Sequence, residues 1–181
     1  MSGCISLFDV LESVNKAVTS EGQKVIDVFK ENAQERGLGT LAAGTAAQSL
    51  LDSITPWFIH KIQNLVKTNK FIGLKNKYNN LENLRGGELQ EGRKELALEY
   101  NSVLQQLQLL FNFSKDFVSV VNEQWEKFPY NNAVKNRLTD YFGCLTNETQ
   151  KVQLQLQQCS NSVLSILSEA EDSSSGLAPT F

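Results

Sequence analysis

The stretch "VKNRLTDYFGCLTNETQKVQLQLQQCSNSVLSI", residues 134–166, decides the fold. Its apolar residues recur at alternating intervals of four and three, while Gln, Asn, Lys and Thr fill most positions between them. An apolar stripe with the period of an α-helix predicts one long helix that buries one face in a core. The stripe consists of Val134, Leu138, Tyr141, Leu145, Val152, Leu156, Cys159, Val163 and Ile166.

The same spacing occurs upstream, in residues 93–128. The sequence Phe-Pro-Tyr-Asn-Asn at 128–132 separates the two stripes and predicts a turn, because proline and asparagine disfavour helix continuation there. Two long helices joined by a short turn are expected to pack as an antiparallel hairpin. The upstream stripe consists of Leu96, Tyr100, Val103, Leu107, Leu110, Phe117, Val121 and Phe128.

The first half of the chain carries several helix boundaries. Ser6 with Asp9 and Ser20 with Gln23 predict the starts of two helices, because a Ser hydroxyl can cap the first turn. Gly37 and Gly39 then predict a helix end. Thr55-Pro56 predicts the start of another helix, which runs toward Leu84 with Gly73 as an interruption, before a turn at Arg85-Gly86-Gly87.

These patterns predict an all-α protein, an elongated antiparallel bundle of four to six helices with a long C-terminal helical hairpin. We expect a single helical-bundle domain over residues 1–168. The last part, "EAEDSSSGLAPTF" at 169–181, is small, acidic and rich in turn formers, which is typical of a disordered tail.

Composition excludes several kinds of chemistry. The net charge is −3 and the pI is near 5.3, which disfavours nucleic-acid binding. Cys4, Cys144 and Cys159 are odd in number and lack a C-x-x-C pair, so we expect reduced thiols, no disulfide framework, no metal and no cofactor. The first residues lack the basic region of a signal peptide and include Asp9 and Glu12, so the expected location is the cytoplasm, either free or at the periphery of a membrane.

His60 is the only histidine and therefore the only histidine base for nucleophilic catalysis. No phosphate-binding loop, nucleophile elbow or dinucleotide fingerprint accompanies it. We therefore predict that the protein is not an enzyme. The one specific enzymatic alternative places His60 in a pocket with an acidic or thiol partner.

The segment "LGTLAAGTAAQSLL", residues 38–51, carries no charge and is rich in Ala and Gly. Gly39, Ala43 and Ala47 recur every four residues, which predicts a flat helix face for close packing or for insertion into a membrane. In the first interpretation this face lies in the core of a non-enzymatic bundle. Such a bundle acts through a protein partner or self-association, as a scaffold, adaptor or oligomerising module.

The alternative interpretation is a membrane-active bundle, of the lipid-binding or pore-forming type. It uses the small-residue segment, residues 38–54, for insertion and the lysine segment, residues 57–77, for docking on anionic lipid. No acidic residue occurs from Ser53 to Leu81, and apolar residues at 58, 62, 65 and 72 share one helix face. The candidate membrane or partner contacts are Trp57, Phe58, Lys61, Lys67 and Lys70.

Overall fold

The computed structural model describes residues 4, 7–124, 127 and 130–177, without the side chains of residues 8, 69–72, 110–119, 122, 124 and 170–177. This part is a bundle of six α-helices without any β-strand, as the apolar stripes predict. A short 3-10 helix, Leu81–Asn83, precedes the fifth. The helices are α1 (Leu7–Glu35), α2 (Thr40–Ile54), α3 (Trp57–Leu65), α4 (Asn69–Asn80), α5 (Gly86–Gln124) and α6 (Asn132–Leu177).

The predicted stripe of α6 is buried along its whole length. All nine of its residues, from Val134 to Ile166, are at most 7% exposed. On α5, the residues at 96, 100, 103 and 107 are buried as predicted and Val121 is half-buried, whereas the side chains at 110 and 117 lie outside the described part, as does residue 128 altogether. Burial of these two stripes in one core supplies the main stabilisation, because isolated helices are marginal in water.

Helix α6 packs against both α5 and α1. The α1 pairing is antiparallel, because contacts at opposite ends of α1 meet opposite parts of α6. At one end Cys4 is bonded to Cys159. At the other, the Phe29 and Tyr130 rings meet edge to face with centroids 5.3 Å apart. The predicted hairpin of α5 and α6 stays a prediction, since residues 125–126 and 128–129 of its turn lie outside the described part.

The first helix differs from the expectation of two shorter helices. Helix α1 continues through Ser20 without a break, because an exposed serine inside an apolar stripe does not by itself start a new helix. Its end is as predicted: Gly37 adopts φ 70°, a left-handed conformation that suits glycine, and Leu38 N–H donates to the Ala33 carbonyl at 2.8 Å.

The helix predicted from residue 57 toward Leu84 is divided, but not at Gly73. The break falls at residues 66–68, where the Thr68 N–H and hydroxyl both donate to the Leu65 carbonyl and form a turn. Gly73 lies within α4. The predicted turn before the long helix is present, with Gly86 at φ 58°.

The expectation that all three cysteines are reduced is wrong for Cys4 and Cys159, which form a disulfide between the start of the described chain and the middle of α6. The sequence carries no local signal for it, because 155 positions separate the two residues. Cys144 is the free thiol among the three cysteines and is partly exposed.

The final helix also extends beyond the predicted boundary. Helix α6 continues through residues 169–177, where a disordered tail is expected, and residues 178–181 lie outside the described part. Glu and Ala support helix continuation here, and the first glycine after Ser168 is Gly176. The domain boundary at residue 168 stays a prediction.

Candidate interaction surface

Small residues bring α2 close to α1. Ala47 is fully buried, and Leu51 and Ile54 follow it on the same face. A methyl group added at Gly44 would lie only 2.7 Å from Lys30 Cε, so the Lys30 side chain lies directly over the α2 backbone. Near the other end of the contact, a methyl group at Gly22 would lie 3.5 Å from Leu51 Cδ1. The contact between α1 and α2 therefore depends on residues with small side chains.

The opposite side of α2 faces outward. Leu41 on this side is 85% exposed, and Leu38, just before the helix, is 61% exposed. From residue 39 to 46 the exposed positions other than Leu41 are small and uncharged, whereas Glu35 and Arg36 before Leu38 are exposed and charged. The Thr45 hydroxyl donates back to the Leu41 carbonyl at 3.0 Å, so it is satisfied within the helix. We define the α2 outer surface as Leu38, Leu41, Ala42, Thr45, Ala46 and Ser49.

The predicted small-residue face is only partly a packing face. Ala47 is buried and Ala43 is half-buried, but Gly39 is exposed and a methyl group there would meet nothing within 4 Å. The residues therefore do not share one environment. The C-terminal half of α2 buries one face in the core, whereas the first three residues of the helix, 40–42, are exposed.

The lysine segment does not present its apolar face to the outside. Phe58 is 1% exposed, so it cannot contact a partner or a membrane in this state, and Ile59 and Ile62 are buried beside it. Trp57 is 73% exposed, on the outer side of α3. Lys61 is half-buried, Lys67 is exposed, and the Lys70 side chain lies outside the described part. Among the described residues, no helix is both long and apolar enough to cross a bilayer.

The basic end of this segment makes one ion pair with the bundle. Lys77 Nζ donates to Glu99 Oε1, joining α4 to α5. The side chains are 59% and 37% exposed, so the pair contributes less than about 1 kcal/mol.

A charged groove runs between α1 and α6, in contrast to the α2 outer surface. Its walls carry both signs of charge, including Glu21 with Lys24 at 2.9 Å and Glu148 with Lys151 at 3.0 Å. Burial, followed by the nearby Glu148 and Glu21 carboxylates, raises the pKa of Cys144 to about 11, so this thiol is protonated and a weak nucleophile at neutral pH. Paired charges and an unreactive thiol fit a structural role for this groove.

A buried hydrogen bond fixes the bend between α2 and α3. The hydroxyls of Thr55 and Tyr141 lie 2.5 Å apart, and both residues are almost fully buried. Burial raises the pKa of Tyr141 to about 12, against the lowering effect of the Thr55 hydrogen bond. Because Tyr141 belongs to α6, this bond joins the α2–α3 bend to that helix. Thr55 does not cap α3 as predicted, since its hydroxyl donates to the Leu51 carbonyl of the preceding helix.

The phase of the sequence could have located the exposed leucines. Ile54, Leu51 and Ala47 recur at intervals of three and four, and the pattern continues to positions 44 or 43 and then 40. Leu41 is out of phase with this series. An out-of-phase leucine on a helix whose other face is buried indicates exposure.

Comparison of the chain with protein-family models, with curated proteins and with solved structures finds no match. The part of the chain that the structure describes is a bundle of six α-helices.

Proposed function

We propose that this chain is a non-enzymatic helical-bundle protein that acts through protein–protein association, with the α2 outer surface as the contact. The observation that carries the proposal is the exposure of Leu38 and Leu41, 61% and 85%, within a segment that has no charge from residue 38 to 51. Interface centres are depleted of charge and enriched in apolar groups, and this surface has both properties.

A second copy of the chain is the partner that this surface fits best. Small side chains beside the leucines permit close approach of another helix, and an uncharged surface meets its own copy without repulsion. The protein then works as an oligomerising module. Such an interface is self-complementary, so one substitution alters both sides of it at once.

The test is the mass in solution as a function of concentration, by sedimentation equilibrium or light scattering. We expect a concentration-dependent dimer for the natural chain and a monomer for Leu41→Lys. Leu98→Lys is the matched control, since Leu98 is also exposed, at 50%, but lies on α5. A natural chain that is monomeric at all concentrations, or a dimer that Leu41→Lys leaves intact, would contradict self-association through this surface.

Membrane association is the second candidate, and the exposed Trp57 together with Lys61 and Lys67 favours it. An aromatic side chain near basic residues suits the interface of an anionic bilayer, with about 1 kcal/mol contributed per basic residue near the surface. Flotation with anionic vesicles tests it. Binding should weaken with salt and with the double substitution of Lys61 and Lys67 by Glu, and absence of flotation at low salt would reject it.

The Cys4–Cys159 disulfide supports action in an oxidising compartment, in place of the expected cytoplasm. Alkylation of the protein in intact cells, before lysis, tests this. One modified cysteine is expected in the oxidised chain, and three modified cysteines would favour the cytoplasm.

A further inference from the structure

A small polar cavity of about 140 Å³ lies beneath the bend between α2 and α3. Helices α1, α2, α3 and α6 all contribute to its walls, so it belongs to the core junction and not to the α2 outer surface. Asp52 is exposed, whereas Thr55 and Tyr141 are buried; His60 and the side chains of Gln23, Gln48 and Gln63 complete most of the polar lining. Val18, Ile26 and Leu51 supply the apolar part of the wall, and Gly22 lies beside Leu51.

The hydrogen atoms around this cavity can be assigned from the hydrogen bonds. The Thr55 hydroxyl has one hydrogen, and it donates that hydrogen to the Leu51 carbonyl at 2.6 Å. Tyr141 must therefore be the donor in the 2.5 Å bond between the two hydroxyls. With its own hydrogen committed to Thr55, the Tyr141 oxygen offers only acceptor capacity.

His60 and Asp52 can be assigned in the same way. His60 Nε2 lies 3.4 Å from the Asp52 backbone oxygen, and because a carbonyl only accepts, the ring nitrogen is the donor. The Asp52 carboxylate already accepts from Gln48 Nε2 at 2.9 Å and, as a carboxylate, has further acceptor sites. Asp52 therefore supplies the one carboxylate among the described lining residues, and the Tyr141 oxygen adds an acceptor. The glutamine side chains can either donate or accept, so the charge favours a cationic hydrogen-bond donor as the ligand.

We propose that this cavity binds a small organic ammonium ion, with the Asp52 carboxylate as counter-ion and the Tyr141 oxygen accepting one N–H. The apolar wall at Leu51 and Gly22 accommodates methyl or methylene groups of the ligand. No Lys or Arg is among the described residues that line the cavity, which disfavours an anion. The volume lies below the roughly 300–1,000 Å³ of pockets for drug-sized ligands, so the ligand has few heavy atoms.

The experiment is a titration of the folded, oxidised chain with methylammonium chloride, followed by amide chemical shifts in two-dimensional NMR. Sodium chloride at matched ionic strength is the reference. We expect saturable shift changes confined to the residues around the cavity, at 18–26, at 48–63 and near Tyr141. Shifts that grow linearly without saturation, or that sodium chloride reproduces, would overturn the proposal.

Three variants sharpen this test. Asp52→Asn keeps an acceptor for Gln48 but removes the charge, and should weaken binding about ten-fold. Asp140→Asn is the matched control, because Asp140 is an exposed carboxylate on α6 outside the cavity, and it should leave binding unchanged. Gly22→Ala places a methyl group 3.5 Å from Leu51 Cδ1 and 3.7 Å from Tyr141 Cε2, so it should weaken binding while the chain stays folded. Equal affinity of the natural chain and Asp52→Asn would overturn the proposal.

Discussion

Replacement of Ala47 by Leu tests the packing of α2 on α1. Ala47 is 0% exposed, so the added carbons of a leucine must displace the side chains that cover it. Overpacking of a well-packed site costs about 1 to 3 kcal/mol in the free energy of unfolding. For a domain of this size, 1 kcal/mol shifts Tm by about 2 to 4 °C, so Tm should fall by roughly 2 to 12 °C.

The matched control is Ala133→Leu, which makes the same change at an exposed position of α6, outside the α2 outer surface. A surface substitution of this kind should change the free energy of unfolding by no more than about 0.5 kcal/mol. Urea denaturation, followed by far-UV circular dichroism, measures both variants against the natural chain. If Ala47→Leu is as stable as Ala133→Leu, α2 does not pack on α1 through Ala47.

Three further predictions concern stability. Gly22→Ala should raise the free energy of unfolding by about 1 kcal/mol, because glycine disfavours a helix interior and the structure has room for the methyl group. A lower Tm would show that the contact between α1 and α2 has no space for this methyl group. Cys159→Ser should lower the free energy of unfolding by about 2 to 5 kcal/mol, because the disulfide restricts the unfolded chain, and an unaltered urea midpoint would speak against that constraint. Burial raises the pKa of Cys144 from 9.0 to about 11 and that of Tyr141 from 10.0 to about 12. Because both pKa values are higher in the folded chain than in the unfolded chain, the contribution of these groups to stability is fully present below pH 9 and is lost as the pH rises toward 12. Urea midpoints at pH 8 and pH 11 should therefore differ, with a smaller difference in Tyr141→Phe, and equal midpoints would count against the buried hydroxyl.

Helical periodicity was sufficient to predict the long C-terminal helix and its buried face. Every residue of the α6 stripe from Val134 to Ile166 is buried, because a single helix period determines which side chains share a face. The stripe did not reveal that Phe142 is buried beside it. Since α6 packs against both α1 and α5, its apolar face is wider than one stripe, and only the tertiary arrangement defines that width.

Helix ends were predicted less well than helix faces. Gly37 marks the end of α1 because the left-handed conformation suits glycine, and its signal is local. Ser20 looks like a cap in the sequence, yet it lies inside α1, because a capping residue acts only where the chain enters the helix from a non-helical conformation. A local pattern of serine and glutamine cannot show whether that entry occurs.

The exposure of Trp57 and the pairing of Cys4 with Cys159 depend on contacts that are distant in sequence. Trp57 and Phe58 are adjacent apolar residues, but Trp57 is 73% exposed and Phe58 is 1% exposed. The orientation of α3 after the α2–α3 bend determines which of the two side chains is buried. Cys4 and Cys159 likewise meet only because α1 and α6 pack antiparallel. No residue pattern near either cysteine carries this information.

Helix α1 packs antiparallel on α6, and Cys4 is covalently joined to Cys159. This arrangement can be tested by peptide mapping with mass spectrometry, on protein purified without reductant and alkylated before digestion. We expect a linked peptide pair that contains Cys4 and Cys159 and separates on reduction, with Cys144 alkylated. A chain with all three cysteines alkylated, or with Cys144 in the bond, would contradict it.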